Sequence, residues 1–478
     1  MKLSKSRFIR GKTCTKAMWL DTHEPDLVEY SDADRKTLDQ GEEVGQIARQ
    51  LFPEGELIYQ YPQSLGDAIK STQEKIAAGL TVLFEAVFEF QNVLVISDIL
   101  IKQGDGDWQL IETKSATKVK DYYYDDLALQ QWVLEGNGLT VSQCNVLHVN
   151  NQCVGVDLEN FFIEENVTEE VRNRDVEGLA VEYLDILHEN VPPEAPIGKW
   201  CKKCDYEGHC LGEKVNHSIY YIPRISDKKV AELEGEDVID LSDITDGFEF
   251  TEKQRAFIDT YQEQSIDINI AAIHSAMEDL EFPLYFFDFE TVNPAVPLAD
   301  NIRPYQQTAF QYSLHILQAD GSLTHHEYLH PEATDPSRPL AEQIVRDIGE
   351  QGSVVAYNIG FERGVLEKLA AAFPDLHNPL VNIADRLWDQ LPLVRDHYQH
   401  YQMGPSNSIK AILPIIAPDL SYKELKISQG DHAGVIWQEM IYSQDVKERE
   451  VLRDALLAYC HLDTLAMVKL HQHFKTLK

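Results

Sequence analysis

Three cysteines stand together at Cys201, Cys204 and Cys210, and a fourth, Cys14, stands alone far ahead of them. Thiolates held as close as Cys-x2-Cys-x5-Cys need a soft metal to offset the cost of bringing them together. Three ligands need a fourth, and Cys14 is the candidate. Four cysteines suit a 4Fe–4S cluster. Zinc accepts the same set, with His209 as a further donor. Between these cysteines lie Asp98 and the triplet Glu112-Thr113-Lys114. Two carboxylates with a nearby backbone carbonyl suit Mg²⁺ or Mn²⁺, which prefer oxygen. Such an ion activates water, and a lysine beside it holds that water or stabilises charge building on a phosphodiester. Taken alone, the same pattern also describes a surface hairpin with a solvated salt bridge.

A second group of acids lies far downstream. Asp288 and Glu290 flank one apolar residue on a strongly apolar stretch, so they share a strand face and suit joint metal binding. Tyr459 and Asp463 are four apart, hence on one face of a helix. Glu362 follows the strand-like Val354–Asn358. Cys144, Cys153 and Cys460 lack ligand spacing and are expected as small buried apolar residues.

The elements that must position these groups are legible. Val93–Ile101 is β-rich, Gly104–Asp107 is a turn, and Trp108–Lys114 is a second strand, which predicts a β-hairpin with Glu112 and Lys114 on one face. A helix follows over about Asp125–Leu134, carrying Gln130 and Gln131. Residues 227–252 hold ten acidic residues with short apolar punctuation, which predicts a small helical connector. Phe282–Asp288 reads as a buried strand, and about Lys447–Phe474 as a long helix without internal proline or glycine.

Asp98, Glu112-x-Lys114 and a glutamine-bearing helix, with one cysteine before and three after, resemble the RecB-like PD-(D/E)XK nucleases, in particular their iron–sulfur branch. The resemblance covers about residues 1–215. It implies that Asp98 and Glu112 are metal ligands, Lys114 the catalytic lysine and Gln130 the motif glutamine, with Gln131 the alternative register. It favours iron–sulfur over zinc at Cys14, Cys201, Cys204 and Cys210. Two positions depart from the pattern. Gly41–Gly45 lacks the histidine many relatives carry on an early helix, and Ser97 replaces the proline of the motif. Glu85 could contribute a further acidic contact, and a structural role in its strand explains it as well.

The order Asp-x-Glu, Asn-x3-acid, Tyr-x3-Asp resembles the DnaQ-like (DEDD) exonucleases, which hold two metals with four carboxylates on a ribonuclease H-like fold. The resemblance implies Asp288, Glu290, Glu362 and Asp463 as ligands, with Tyr459 orienting the water. Ala458 stands where the histidine subtype needs histidine, so the tyrosine subtype matches. Glu362 stands where the family usually has aspartate, and Asp385 is a plausible extra or substitute acid. His461, on the same helix, is expected to point away and be exposed. Lys410, in Gly404–Lys410, could contact a phosphate, though a helix cap at Ser406 or Ser408 explains that loop as well.

The expected architecture is therefore α/β: a restriction-endonuclease-like core with an iron–sulfur cluster (1–215), an acidic helical connector (216–280) and a ribonuclease H-like mixed-sheet domain (281–478). Whole-chain order resembles a bacterial family of predicted nucleases. At 478 residues, two or three domains are expected, and 44% hydrophobic with 25% charged residues is a globular composition. Seven cysteines in such a chain predict reduced thiols and a cytoplasmic setting rather than a disulfide framework. No apolar run predicts a membrane span or a secretory signal.

The formal net charge of −37 opposes a broadly basic nucleic-acid face. Basic residues are local: six among residues 1–20, then Lys114, Lys118 and Lys120, then Lys202 and Lys203. The expected partner is nucleic acid, DNA in single-stranded form or at ends, and the expected reaction is metal-dependent phosphodiester hydrolysis at two sites with Mg²⁺ or Mn²⁺. The alternative is a degenerate nucleic-acid-binding or scaffolding protein.

Overall fold

Val82, Phe84, Ile99 and Ile111 pack together with Ala48. Their strand neighbours Leu83, Leu100 and Leu110 pack instead with Leu127, Val133 and Leu134. Successive side chains of a strand face opposite ways, so this sheet is buried on both sides. Each fully buried aliphatic side chain contributes roughly 1.5–3 kcal/mol by leaving water. An exposed ion pair contributes about 0–1 kcal/mol. Apolar packing, not surface charge, therefore holds the frame.

The computed structural model describes residues 1–28, 32–212, 215, 217–427 and 430–478. The architecture is mixed α/β with mixed sheets. Two compact units divide the chain. The first comprises residues 1–197, 204–209 and 294–306, and the second 198–203, 210–293 and 307–478. No helix among the described residues is long and apolar enough to cross a membrane.

The first unit carries β1 (Leu3–Ser4), β2 (Glu56–Leu57), β3 (Val82–Phe90), β4 (Val93–Lys102), β5 (Trp108–Lys114), β6 (Val141–Val149) and β7 (Phe162–Asn166). They form one sheet in the order β2-β3-β4-β5-β6-β7, with β1 parallel to β4. Gln91 and Asn92 both take positive φ, 47° and 64°, in the two-residue turn between β3 and β4. That turn matches the right-handed twist of its strands. The strands β4 and β5 are antiparallel, and the helix Asp121–Gly136 crosses from β5 to the parallel β6. Asp98 and Glu112 have the same parity as Leu100 and Leu110, so they face that helix.

Residues 294–306 complete this unit. Ala295, Val296 and Tyr305 pack with Val149, Cys153 and Phe161. Tyr305 donates its hydroxyl to the carbonyl of Ser115. Gly155 donates to the carbonyl of Ile302 at 2.9 Å. It sits at φ +68°, and a Cβ there would come within 2.9 Å of the Asp300 carbonyl, so only glycine fits.

The second unit carries β8 (Ile266–Ile268), β9 (Leu284–Val292), β10 (Thr308–Leu317), β11 (Leu323–Leu329), β12 (Val354–Ala356), β13 (Leu387–Asp389) and β14 (Tyr398–His400). Five of them form a sheet in the order β11-β10-β9-β12-β13, antiparallel on the β11 side and parallel on the β13 side. Tyr285, Phe287 and Phe289 face helices through Leu340, Ile344, Leu366 and Ile383. The opposite parity, Phe286, Asp288 and Glu290, faces the 31-residue helix Val446–Thr476; Phe286 meets His471 there, with ring centroids 5.7 Å apart. Helices Asp227–Gly235, Glu252–Gln262 and Ile270–Met277 lie within residues 216–280, where a helical connector is expected. A capping box between Thr251 and Gln254 starts the second of them.

Candidate active sites

Glu112 is the hub of the first cluster. It is 1% exposed and accepts from Lys114 at 2.7 Å, Lys5 at 2.7 Å and Gln130 at 2.7 Å. Burial works to raise its pKa, but Lys114 and Lys5 outweigh burial and hold the carboxyl down at about 2. Asp98, on the adjacent strand, accepts from the backbone N–H of Thr113 at 2.8 Å. Burial and the Glu112 charge push Asp98 up to about 6, which Lys5 and Lys114 only partly oppose. Gln130 also donates to Asp126 at 3.0 Å, whereas Gln131 turns away to Glu135 at 2.9 Å. The Gln130 register is therefore the one that reaches the cluster.

These groups open onto a cleft of about 330 Å³ lined by Glu42, Arg49, Glu85, Asp98, Glu112 and Lys114. The stretch Gly41–Gly45, which lacks histidine, forms one wall and offers Glu42 there. Glu85 holds φ +51° within β3, a region disfavoured for any residue with a Cβ. Such strain is kept where neighbouring structure over-determines it. Burial, then Asp98, push Glu85 up to about 8. Four acids thus line one cleft, and two of them, Glu85 and Asp98, hold protons more tightly than usual.

The second cluster is drier. One ligand atom each from Asp288, Glu290 and Cys460 lie within 4.8 Å of one another. Burial pushes Asp288 well above the carboxylate range, and Asp463, Glu290 and Glu362 add to that push. Asp463 rises to about 6 through burial, against hydrogen bonds from Tyr422 and Tyr459. The Tyr422 bond is 2.7 Å. Glu362, 2% exposed, is pushed up to about 8 by burial, and its Oε2 has no hydrogen-bond partner. The nearby cation is Lys410, which donates to the Tyr459 hydroxyl at 2.7 Å and opposes the rise of both Asp288 and Asp463. Asn358, at φ +77°, turns the chain from β12 into the helix Gly360–Ala372 that carries Glu362. Asn is among the few residues that tolerate this conformation.

None of the seven cysteines is in a disulfide, and Cys14, Cys201, Cys204 and Cys210 are each half-buried. Cys14 caps the helix Thr15–His23, its Sγ accepting from Ala17 at 3.4 Å. Burial raises the Cys204 thiol, and Cys14 adds to that effect. Within the first unit, Arg10 meets Asp205 at 2.7 Å, and Tyr206 donates to Asp21 at 2.8 Å.

Residues 285–408 match a family model described as "Domain of unknown function (DUF2779)". That segment holds Asp288, Glu290 and Glu362 and stops short of Lys410, Tyr459 and Asp463. The chain is 26% identical over 225 residues to "Uncharacterized protein MG366 homolog" of Mycoplasma pneumoniae, covering 42% of this chain and 33% of that protein. It is 24% identical over 258 residues to "Uncharacterized protein UU173" of Ureaplasma parvum serovar 3, covering 48% and 36%. It thus spans about a third of the length of these curated relatives. A solved structure titled "Crystal structure of SSO0001" aligns at 14% identity over 44% of this chain and 86% of its own, with a TM-score of 0.20, too low to bear on the fold.

The structure adds residues that spacing alone does not mark. Lys5 reaches Glu112 from the helix Lys5–Thr13 and lies 3.9 Å from Asp98 and 3.7 Å from Asp126. Asp126 was within reach of sequence reasoning, because it lies four residues before Gln130 on one helix face. At the second cluster, Asp385 is not brought in: it is exposed at the end of the helix His377–Asp385. The acid acting on Glu362 is Asp389 on β13, whose carboxylate accepts from the N–H groups of Asn358 and Leu391. His461 is half-buried against His315 and His325 rather than exposed. Four of the six basic residues in 1–20 pair with acids: Lys2 with Glu89, Lys5 with Glu112, Arg10 with Asp205 and Lys12 with Asp125. They are committed within the fold rather than held out as a strand-guiding patch.

Removing one of these cations has a calculable effect. Hydrogen bonds to charged groups contribute about 1.5–3 kcal/mol. Lys5→Met keeps the apolar stem and is expected to lower stability at pH 7 by that amount, read from urea unfolding. An unchanged midpoint would mean that the Lys5–Glu112 contact is energetically idle.

Proposed function

We propose that the chain is a metal-dependent nuclease with two hydrolytic centres, one on a restriction-endonuclease-like sheet and one on a ribonuclease H-like sheet. The observation that carries this reading is the gathering of buried carboxyl groups in the second unit. Asp463, Glu290 and Glu362 all push buried Asp288 upward, and Glu362 Oε2 is left unpartnered. Buried carboxylates are costly unless paired or on a metal. A hard divalent cation satisfies oxygen donors of this kind.

In the second unit Asp288, Glu290, Glu362 and Asp463 would hold Mg²⁺ or Mn²⁺; in the first, Asp98 and Glu112 with a backbone carbonyl would do so. Such an ion, when bound, supplies Lewis acidity and an activated water. The side chains do the rest. Gln130 fixes the Glu112 carboxylate, and Lys114 places a positive charge where an oxyanion develops. Tyr459, bonded by Lys410, can orient a water beside Asp463. For Cys14, Cys201, Cys204 and Cys210 the reading rests on residue type and spacing, which suit a 4Fe–4S cluster, or zinc.

One observation favours the degenerate, scaffolding alternative for the first cluster. Lys5 already occupies Glu112 with a positive charge. The two readings separate in an assay of end-labelled single- and double-stranded DNA and RNA with Mn²⁺, using anaerobically purified protein. Lys114→Ala and Asp288→Ala are each expected to remove one class of product. Wild-type product patterns from both variants would leave the nuclease reading without its residues.

A further inference from the structure

We propose that His315, His325 and His461 form a site for one divalent transition-metal ion of the zinc type, separate from both acidic clusters. His315 on β10 and His325 on β11 are direct cross-strand partners. His461 comes from the helix Val446–Thr476. One ring nitrogen from each lies within 4.8 Å of the other two. The ring centroids are 4.3, 4.5 and 4.7 Å apart.

Hydroxyl groups behind the rings orient two of them. Thr464 Oγ1 donates to the backbone carbonyl of His461 at 3.2 Å, a group that can only accept. Thr464 Oγ1 therefore accepts from His315 Nδ1 at 2.8 Å and from Ser313 Oγ at 2.6 Å. Ser313 Oγ in turn accepts from His325 Nε2 at 2.9 Å. This leaves the lone pairs of His315 Nε2 and His325 Nδ1 as acceptors. Metal-ligating histidines are held in this way, the second nitrogen donating to a fixed polar group. Burial and neighbouring imidazoles also depress His315 to about 3 and His325 to about 4, so both rings are neutral.

Three imidazoles suit zinc and its neighbours in the transition series far better than Mg²⁺ or Mn²⁺. With three protein ligands, the fourth position falls to water, since His325 and His461 are both half-exposed. The ion would tie the β10–β11 hairpin to the helix bearing Tyr459 and Asp463, and so fix that helix against the sheet. The site does not depend on the nuclease reading.

The test is zinc binding to the full chain by equilibrium dialysis, with excess Mg²⁺ present to occupy oxygen sites. Wild type is expected to hold one more equivalent of zinc than His325→Gln or His461→Gln, in which the loss of a ligand should weaken that site by about 100-fold or more, the upper end of what outer-shell changes alone cost. Cobalt should give ligand-field bands that vanish in both variants, while any thiolate charge transfer from the cysteines persists. Equal zinc content in folded wild type and variants overturns the proposal. Should the variants not fold, ¹⁵N-labelled histidine in the wild type decides: zinc must move at least three of the 17 imidazoles, and fewer overturns it.

Discussion

Glu112→Gln is expected to lower cleavage from the first unit by about 10³-fold, the scale of losing a central electrostatic element of a site. It is also expected to destabilise the fold by about 3–5 kcal/mol, the cost of leaving a buried charge unpaired. Glutamine has nearly the same shape, so packing is preserved and the charge alone is lost. Lys5 and Lys114 then share a neutral amide where a carboxylate stood, and Gln130 loses its charged acceptor. The sign with pH follows from the depressed pKa. Glu112 titrates at about 2 in the fold, below its ordinary 4.5. Its stabilisation is therefore complete above the unfolded value and lost as pH falls through about 2. Urea unfolding at pH 7 and pH 3.5 should show the gap between wild type and variant shrinking with acid. A constant gap would mean that packing, not charge, makes Glu112 important.

The second unit is expected to respond to pH in the opposite sense. Asp463 titrates at about 6 and Glu362 at about 8, both above their ordinary values, and Asp288 higher than its own. As pH rises past about 4, the unfolded chain releases these protons while the folded pocket retains them. Metal-free stability should fall as pH rises from about 4 through about 8. One pKa unit corresponds to about 1.4 kcal/mol, so the fall amounts to several kcal/mol. Mn²⁺ does the work of those protons. It should raise the melting temperature more at pH 8 than at pH 5, by about 2.7 kcal/mol of stability at a hundredfold excess over its dissociation constant. Asp288→Asn should stabilise the metal-free protein at pH 8 and remove most of the Mn²⁺ gain. Thermal unfolding in EDTA and in MnCl2 at both pH values measures each part. An identical Mn²⁺ response in wild type and Asp288→Asn would rule out the acidic pocket as the ion's seat.

Much of each cluster was legible because it is local. Glu112 and Lys114 are two apart on one strand, Asp288 and Glu290 likewise, and Tyr459 and Asp463 are one helical turn apart. Periodicity places such pairs on a shared face without any tertiary information. Lys5 was invisible because 107 residues separate it from Glu112. Tyr422 reaches Asp463 across 41 residues from a single 3-10 turn, Tyr422–Glu424. Asp385 and Asp389 are both acids in one short stretch, and spacing alone does not choose between them. Only the register of β13 against β12, Asp389 opposite Ala356, separates them. The histidine trio needs two strands and a helix at once, and no linear spacing announces it.

The segment 294–306 bears on how the protein is made. It supplies the Tyr305 hydroxyl that holds Ser115, a residue of the first cleft's wall. The first unit, whose sheet is encoded before residue 167, is thus unfinished until some 140 further residues have been synthesised. Domains usually fold as contiguous stretches while they leave the ribosome. Here the nascent sheet must wait with that wall unbraced while the connector helices and the whole of β9, the first strand of the second sheet, are translated. Contacts spanning such distances slow folding. Completion of the first cleft therefore waits on residues encoded after β9, and a fragment cut at residue 280 would carry all of its acids but not its brace.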